Sequence, residues 1–121
     1  MRKLVLAAGL LAALPTVASA QDAEAGKAVF KKCLACHAVG ADAKNKVGPQ
    51  LNGIVGRKAG TAEGFNYSDA MKNSGKTWDE ATLDGYLADP KGFIPGNKMV
   101  FVGVKDEKDR KDLIAFLGTN K

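Results

Sequence analysis

Five residues restrict this chain more than any others: Cys33-Leu34-Ala35-Cys36-His37. Two thiols separated by two residues can each reach one vinyl group of the same porphyrin. The histidine that follows then lies where its imidazole binds the iron, so this spacing attaches a c-type haem. Three other readings compete: a structural disulfide, a redox-active pair of the thioredoxin kind, and half of a zinc site. The thioredoxin reading expects a strand-turn-helix context, which the flanking residues lack. The zinc reading needs further ligands, and Cys33, Cys36 and His37 are the chain's only cysteines and histidine. Haem attachment is favoured over all three.

The 121 residues suit one domain. Arg2 and Lys3, the apolar run over 4–14 and Ala18-Ser19-Ala20 read in order as the three parts of a secretory signal. The run is short for a membrane span and Pro15 breaks it, although an uncleaved anchor is the alternative. The expectation is a signal over 1–20 cleaved after Ala20, and a single exported domain over 21–121, placed in a bacterial periplasm. Removing Arg2 and Lys3 from the 18 basic residues leaves 16 against 13 acidic ones, a formal charge of +3. That suits transient docking on an acidic protein surface. No long basic run is interleaved with aromatics, so nucleic acid is not expected. A domain of this size builds a limited core, and a buried porphyrin would add apolar volume to it.

The pattern predicts helices and no strand. A helix over 22–34 starts at Asp22 as N-cap, with Ala23, Val29, Phe30 and Leu34 near one face and Lys27, Lys31 and Lys32 on the other. Gly26 lies on the Phe30 side and implies close approach of another helix. Residues 39–64, rich in glycine, read as an ordered loop whose Leu51, Ile54 and Val55 need something to pack on. A short helix is expected within 67–74. A capping box with Thr77 as N-cap and Glu80 at the third helical position opens a helix over 78–88, which Asp89-Pro90 stops. Residues 91–103 read as irregular. The last helix covers 105–118, opened by Asp106 and Glu107, with Leu113, Ile114, Phe116 and Leu117 as its apolar stripe and Gly118 as its stop.

Haem iron has two axial positions. His37 fills one, and with no second histidine the other falls to methionine, lysine or an open site. After the signal the chain has Met71 and Met99. Met99 is favoured over Met71 and over an empty position, because Pro95 and Gly96 stiffen the loop that carries it. A neutral thioether raises the reduction potential, and a saturated iron leaves no place for oxygen or peroxide.

Beyond the haem motif, several further groups of residues stand in order: Gly48-Pro49-x-Leu51-x-Gly53-x-x-Gly56-Arg57-x-x-Gly60, then Tyr67, Trp78 and Tyr86, then Pro95-Gly96-x-Lys98-Met99-x-Phe101. Together they resemble class I cytochrome c, of the mitochondrial and bacterial c2 type, over essentially the whole mature chain. The resemblance implies an all-α fold in which the N- and C-terminal helices cross beside a covalent haem c, with Gly26 and Phe30 meeting Leu113 and Phe116. It implies that Cys33 and Cys36 hold the haem, with His37 and Met99 axial. It implies that the Pro49 carbonyl accepts the other imidazole N–H of His37, and that Arg57, Tyr67 and Trp78 hold an inner propionate. It further implies that the Tyr86 hydroxyl approaches the Met99 sulfur and that Phe101 shields the haem edge.

The function implied is one-electron transfer, not catalysis, by a soluble monomer running from a bc1-type complex to a terminal oxidase or photosynthetic reaction centre. By the same resemblance Lys32, Lys46, Lys91, Lys98 and Lys105 ring the exposed haem edge and steer it to acidic partners. Three residues depart from the family pattern: Met71 where an asparagine is frequent, Asn97 where many members have threonine, and Ala59 where some have a hydroxyl.

Overall fold

Five helices joined by long turns make up the described residues, 21–121, of the computed structural model. They are α1 (Ala23–Phe30), α2 (Asp69–Lys72), α3 (Glu80–Ala88), α4 (Pro90–Phe93) and α5 (Glu107–Gly118). The expected signal over 1–20 lies outside the described residues. Among the described residues there is no strand, only an isolated antiparallel bridge between Lys58 and Thr77, and no helix long and apolar enough to cross a membrane.

Helix α1 begins where expected. The Asp22 carboxylate accepts from the Glu24 and Ala25 N–H groups at 2.9 and 3.2 Å, answering two of the donors that a helix start leaves unpaired. The helix ends at Phe30, four residues earlier than the pattern predicts. From there the ladder tightens: the N–H groups of Lys31, Lys32 and Cys33 turn to the carbonyls three residues back. That tighter winding rotates Leu34 off the apolar face, and it is 47% exposed.

Helix α3 also starts elsewhere than predicted. Its N-cap is Asp79, whose carboxylate accepts from the Thr82 N–H at 2.8 Å while the Thr82 hydroxyl oxygen accepts from the Asp79 N–H at 2.8 Å. The reciprocal pair therefore forms two residues later than a Thr77–Glu80 box would place it. The shift leaves Trp78 outside the helix, where its backbone pairs with Gly56 and Arg57 of the long loop. Residues 91–103 are not wholly irregular: Asp89 caps α4 by accepting from the Gly92 N–H at 3.1 Å, and Pro90 occupies the first turn. At the C-terminus Gly118 is the last residue of α5 and Thr119 the cap, so Gly118 does not stop the helix through a left-handed turn.

Helices α1 and α5 pack against each other, with the Phe30 and Phe116 rings 5.3 Å apart. A Cβ on Gly26 would collide with the Asp112 carbonyl and come within 2.8 Å of Phe116 Cβ. Asp112, buried at 2% exposure, adds a polar latch: its carboxylate accepts from the Asp22 N–H at 2.9 Å and pairs with Lys108 at 2.7 Å. Those contacts, Lys108 first, hold its carboxyl below the usual carboxylate range. The loop over 39–64 is ordered, with Ile54 buried and Leu51 half-buried against the core, whereas Val55 is 43% exposed and packs less than expected.

The close approach at Gly26 sets a prediction. Replacing glycine by alanine inside a helix gains about 1 kcal/mol in propensity. Overpacking costs about 1–3 kcal/mol, and a backbone carbonyl cannot move aside as a flexible side chain does. With the cost in the upper part of that range, Gly26→Ala is expected to lose about 1–2 kcal/mol net in guanidinium unfolding; a variant as stable as the parent would contradict this packing.

Candidate haem site

A cavity of about 400 Å³ opens between the loop over 39–64, α3, α5 and the segment that carries Met99. Cys33, Cys36, His37 and Met99 all line it, although 65 residues of chain separate Cys33 from Met99. Phe30, Leu83, Tyr86, Leu113 and Leu117 also line it while belonging to the buried core. Its walls are mainly apolar side chains, with polar groups at a few points, as in sites that take a flat organic ligand.

His37 is fixed by its neighbours. Its N–H donates to no solvent-exposed group but to a neighbouring carbonyl: Nδ1 lies 2.7 Å from the Pro49 carbonyl oxygen. A carbonyl only accepts, so Nδ1 carries the proton and Nε2 keeps its lone pair for a metal. Gly48 lies flat against the ring, where a Cβ would come within 2.8 Å of Nδ1. Burial lowers the pKa of the imidazole from its ordinary value; the Pro49 hydrogen bond opposes this, and Arg57 and Lys46 add to it. The ring is thereby held neutral, the form that ligates.

Cys33 and Cys36 are free thiols here, not a disulfide. Burial, reinforced by Cys36, pushes the Cys33 thiol up to about 11 against a smaller opposite effect of Lys32. A reactive thioredoxin-type cysteine needs the opposite shift, so the environment disfavours a thiol oxidoreductase.

Arg57, half-buried, lines the same cavity and donates to the Asn52 carbonyl at 3.1 Å and the Gln50 carbonyl at 3.0 Å. Burial lowers its pKa, with Tyr67 acting in the other direction. No carboxylate pairs with it among the described residues, and a cation placed like this calls for an anion. The Tyr67 hydroxyl accepts from the Ala62 N–H at 3.0 Å, and Tyr67 and Trp78 are both buried against the cavity. An apolar chamber with two thiols, a neutral imidazole, a thioether and a half-buried cation fits a porphyrin with its metal and its carboxylates.

Met99 is half-buried, and its sulfur accepts from the Tyr86 hydroxyl at 3.7 Å. The Tyr86 ring packs against Trp78 at a tilt of 48°, with ring centroids 4.9 Å apart. Met71 lines the cavity too, but no side-chain donor holds its sulfur among the described residues. Phe101 is half-buried at the cavity. The five lysines singled out by the sequence are all exposed. Lys32 and Lys98 border the cavity beside the exposed Val47 and Val100, whereas Lys46 and Lys105 donate to the carbonyls of Leu34 and Ala88 at 3.0 and 2.7 Å. Ala59 is buried in the core. Sequence reasoning missed the part of Asn97, which makes three hydrogen bonds around the Met99 segment, and of Gln50 and Asn52, whose carbonyls hold Arg57. For Asn97, its place two residues before the thioether, in a Pro-Gly turn, was the available signal.

The family model described as cytochrome c matches residues 23–121. Cytochrome c2 of Blastochloris viridis is 59% identical over 117 residues, covering 97% of this chain and 92% of that protein. Cytochrome c-550 of Bradyrhizobium diazoefficiens is 61% identical over 95 residues, 78% of this chain and 70% of that one. Among solved structures, cytochrome c2 from Rhodospirillum centenum superposes with a TM-score of 0.79 at 43% identity, covering 82% of this chain and 98% of its own. Cytochrome cH from Methylobacterium extorquens gives 0.78 at 53% identity, with 82% and 99% covered.

Burial pushes the Tyr86 hydroxyl up to about 12. Its folded value is raised above the unfolded value of about 10, so the stability tied to its proton is complete below pH ~10 and drains away as pH climbs toward 12. Tyrosinate absorbance is expected to show a step near pH 12 that is missing from Tyr86→Phe; a step near pH 10 assigned to Tyr86 would contradict its burial.

Proposed function

The chain belongs to the cytochrome c family, and from that membership we propose how it carries an electron and where. It is an electron carrier with one covalent haem c, and not an enzyme. When bound, the haem supplies a one-electron ferric–ferrous couple. The residues around it are assigned as follows. Cys33 and Cys36 would tether the porphyrin through thioethers. His37 Nε2 and Met99 Sδ would hold its iron. The Pro49 carbonyl holds the imidazole in its ligating tautomer and makes it a stronger donor. Arg57 balances propionate charge, with Tyr67 and Trp78 packed beside it. Tyr86 orients the thioether, and Phe101 keeps water from the edge.

The observation that carries this reading is that one cavity gathers Cys33, Cys36, His37 and Met99, with a buried hydroxyl already aimed at the Met99 sulfur. An iron held by both side chains would leave no position for oxygen or peroxide, and the hydrogen bonds that fix His37 and Met99 suit electron transfer with little rearrangement. The protein acts as a soluble monomer in the periplasm, with residues 1–20 removed after Ala20 and 21–121 as the single domain. It takes electrons from a bc1-type complex and delivers them to a terminal oxidase or photosynthetic reaction centre. Lys32, Lys46, Lys91, Lys98 and Lys105, exposed and in part bordering the cavity, guide it to acidic docking surfaces.

The ferric protein is expected to show the sulfur-to-iron absorption band and to lose it in Met99→Ala, while native ferrous protein leaves carbon monoxide unbound at neutral pH. A band that survives Met99→Ala, or carbon monoxide bound by the native protein, would overturn the ligand assignment. Electron exchange with membranes holding a bc1-type complex is expected to slow as ionic strength rises toward about 0.15 M, where the screening length falls to about 8 Å; a rate indifferent to salt would remove the lysines from docking.

A further inference from the structure

The segment that carries Met99 is fastened by a side chain that departs from the family pattern. The Asn97 Nδ2 group donates to the Pro90 carbonyl at 2.8 Å and to the Ile94 carbonyl at 2.9 Å. Its Oδ1 accepts from the Met99 N–H at 2.8 Å. The orientation of the amide is unambiguous, since two carbonyls require the NH₂ end and an N–H requires the oxygen. One planar group thus ties the start and the end of α4 to the backbone of Met99, two residues beyond it. The backbone repeats the bridge, because the Asn97 N–H donates to the Ile94 carbonyl at 3.2 Å.

Met99 is therefore gripped at two places. Its backbone is held through Asn97 to α4, and its sulfur through the Tyr86 hydroxyl to α3. Helix α4 is in turn anchored by the Asp89 cap and by Pro90, one of the most deeply buried side chains of the described residues. A threonine at 97 can offer an acceptor to the Met99 N–H, but it has only one donor and a shorter reach, so it cannot span both carbonyls.

We propose that Asn97 is a positioning residue that holds the Met99 thioether in the cavity and thereby sets how rarely its loop swings open. The proposal rests on Met99 as the axial ligand. Opening would break the Asn97 bridge, so loss of the bridge raises the fraction of molecules in which the axial position is exposed. An external ligand binds only that fraction, and its apparent affinity scales with it.

The test is a titration of the ferric holoprotein with imidazole, following loss of the sulfur-to-iron band, in native protein, Asn97→Ala and Asn97→Thr. With each net hydrogen bond adding modestly and three bonds lost, Asn97→Ala is expected to bind imidazole about tenfold tighter or more, and Asn97→Thr to fall between it and the native protein. Asp112→Asn, which weakens the distant α1–α5 latch, serves as control: it lowers the denaturation midpoint and leaves imidazole affinity unchanged. Equal affinity in all three position-97 proteins would overturn the proposal. So would a gain in Asn97→Ala that Asp112→Asn reproduces, because opening would then be global unfolding. Should Asn97→Ala fail to mature, Asn97→Thr alone decides, an unchanged affinity again counting against the bridge. A native protein that lacks the sulfur-to-iron band fails the Met99 assignment itself, a result distinct from equal affinities among proteins that show it.

Discussion

The fold depends on a volume that its own side chains leave open. Phe30, Leu83, Tyr86, Leu87, Leu113 and Leu117 belong to the buried core, and each of them also borders the cavity. A domain of about a hundred residues has little apolar surface to spare. At about 25 cal/mol per Å² of apolar area removed from water, a flat aromatic ring in that chamber supplies burial the chain cannot make alone. The covalent haem is therefore part of the core as much as it is the redox centre.

Around that chamber the chain splits its tasks between helices and loops. The α1–α5 contact, with Gly26 against the Asp112 carbonyl and Phe30 against Phe116, closes one side with rigid packing. The loops bring the polar atoms. Pro49 turns a carbonyl toward His37, Gln50 and Asn52 turn carbonyls toward Arg57, and Asn97 turns an amide toward Met99. These hydrogen bonds inside the protein let the segments be long without being loose. Few of the group's contacts are then free to rearrange when its charge changes by one unit, which suits a carrier.

Much of this was legible in the sequence, for reasons that differ from place to place. The attachment motif is local, and spacing alone exposes it. Helix existence followed from apolar periodicity, but boundaries slipped where two signals competed: Thr77–Glu80 and Asp79–Thr82 both have box spacing, and backbone pairing of Trp78 with Gly56 and Arg57 favours the second. α1 stops at Phe30 because the chain must tighten into the cysteine turn, a demand of the site and not of helix propensity. Helix α4 was missed because four residues containing proline and glycine have no period to detect. Contacts such as His37–Pro49 and Tyr86–Met99 leave no periodic trace either, and only the family resemblance anticipated them. Asn97 escaped both routes, since a departure from a family pattern carries no geometry until the carbonyls around it are seen.

The central claim is that the Met99 thioether sits in the field of the porphyrin as the partner of His37. Its most direct measurement is an NMR spectrum of the ferrous protein labelled with carbon-13 at the methionine methyls. The account predicts one methyl moved far upfield by the ring current, absent from Met99→Leu and retained in Met71→Leu. An upfield methyl that belongs to Met71, or no shifted methyl at all, would contradict it.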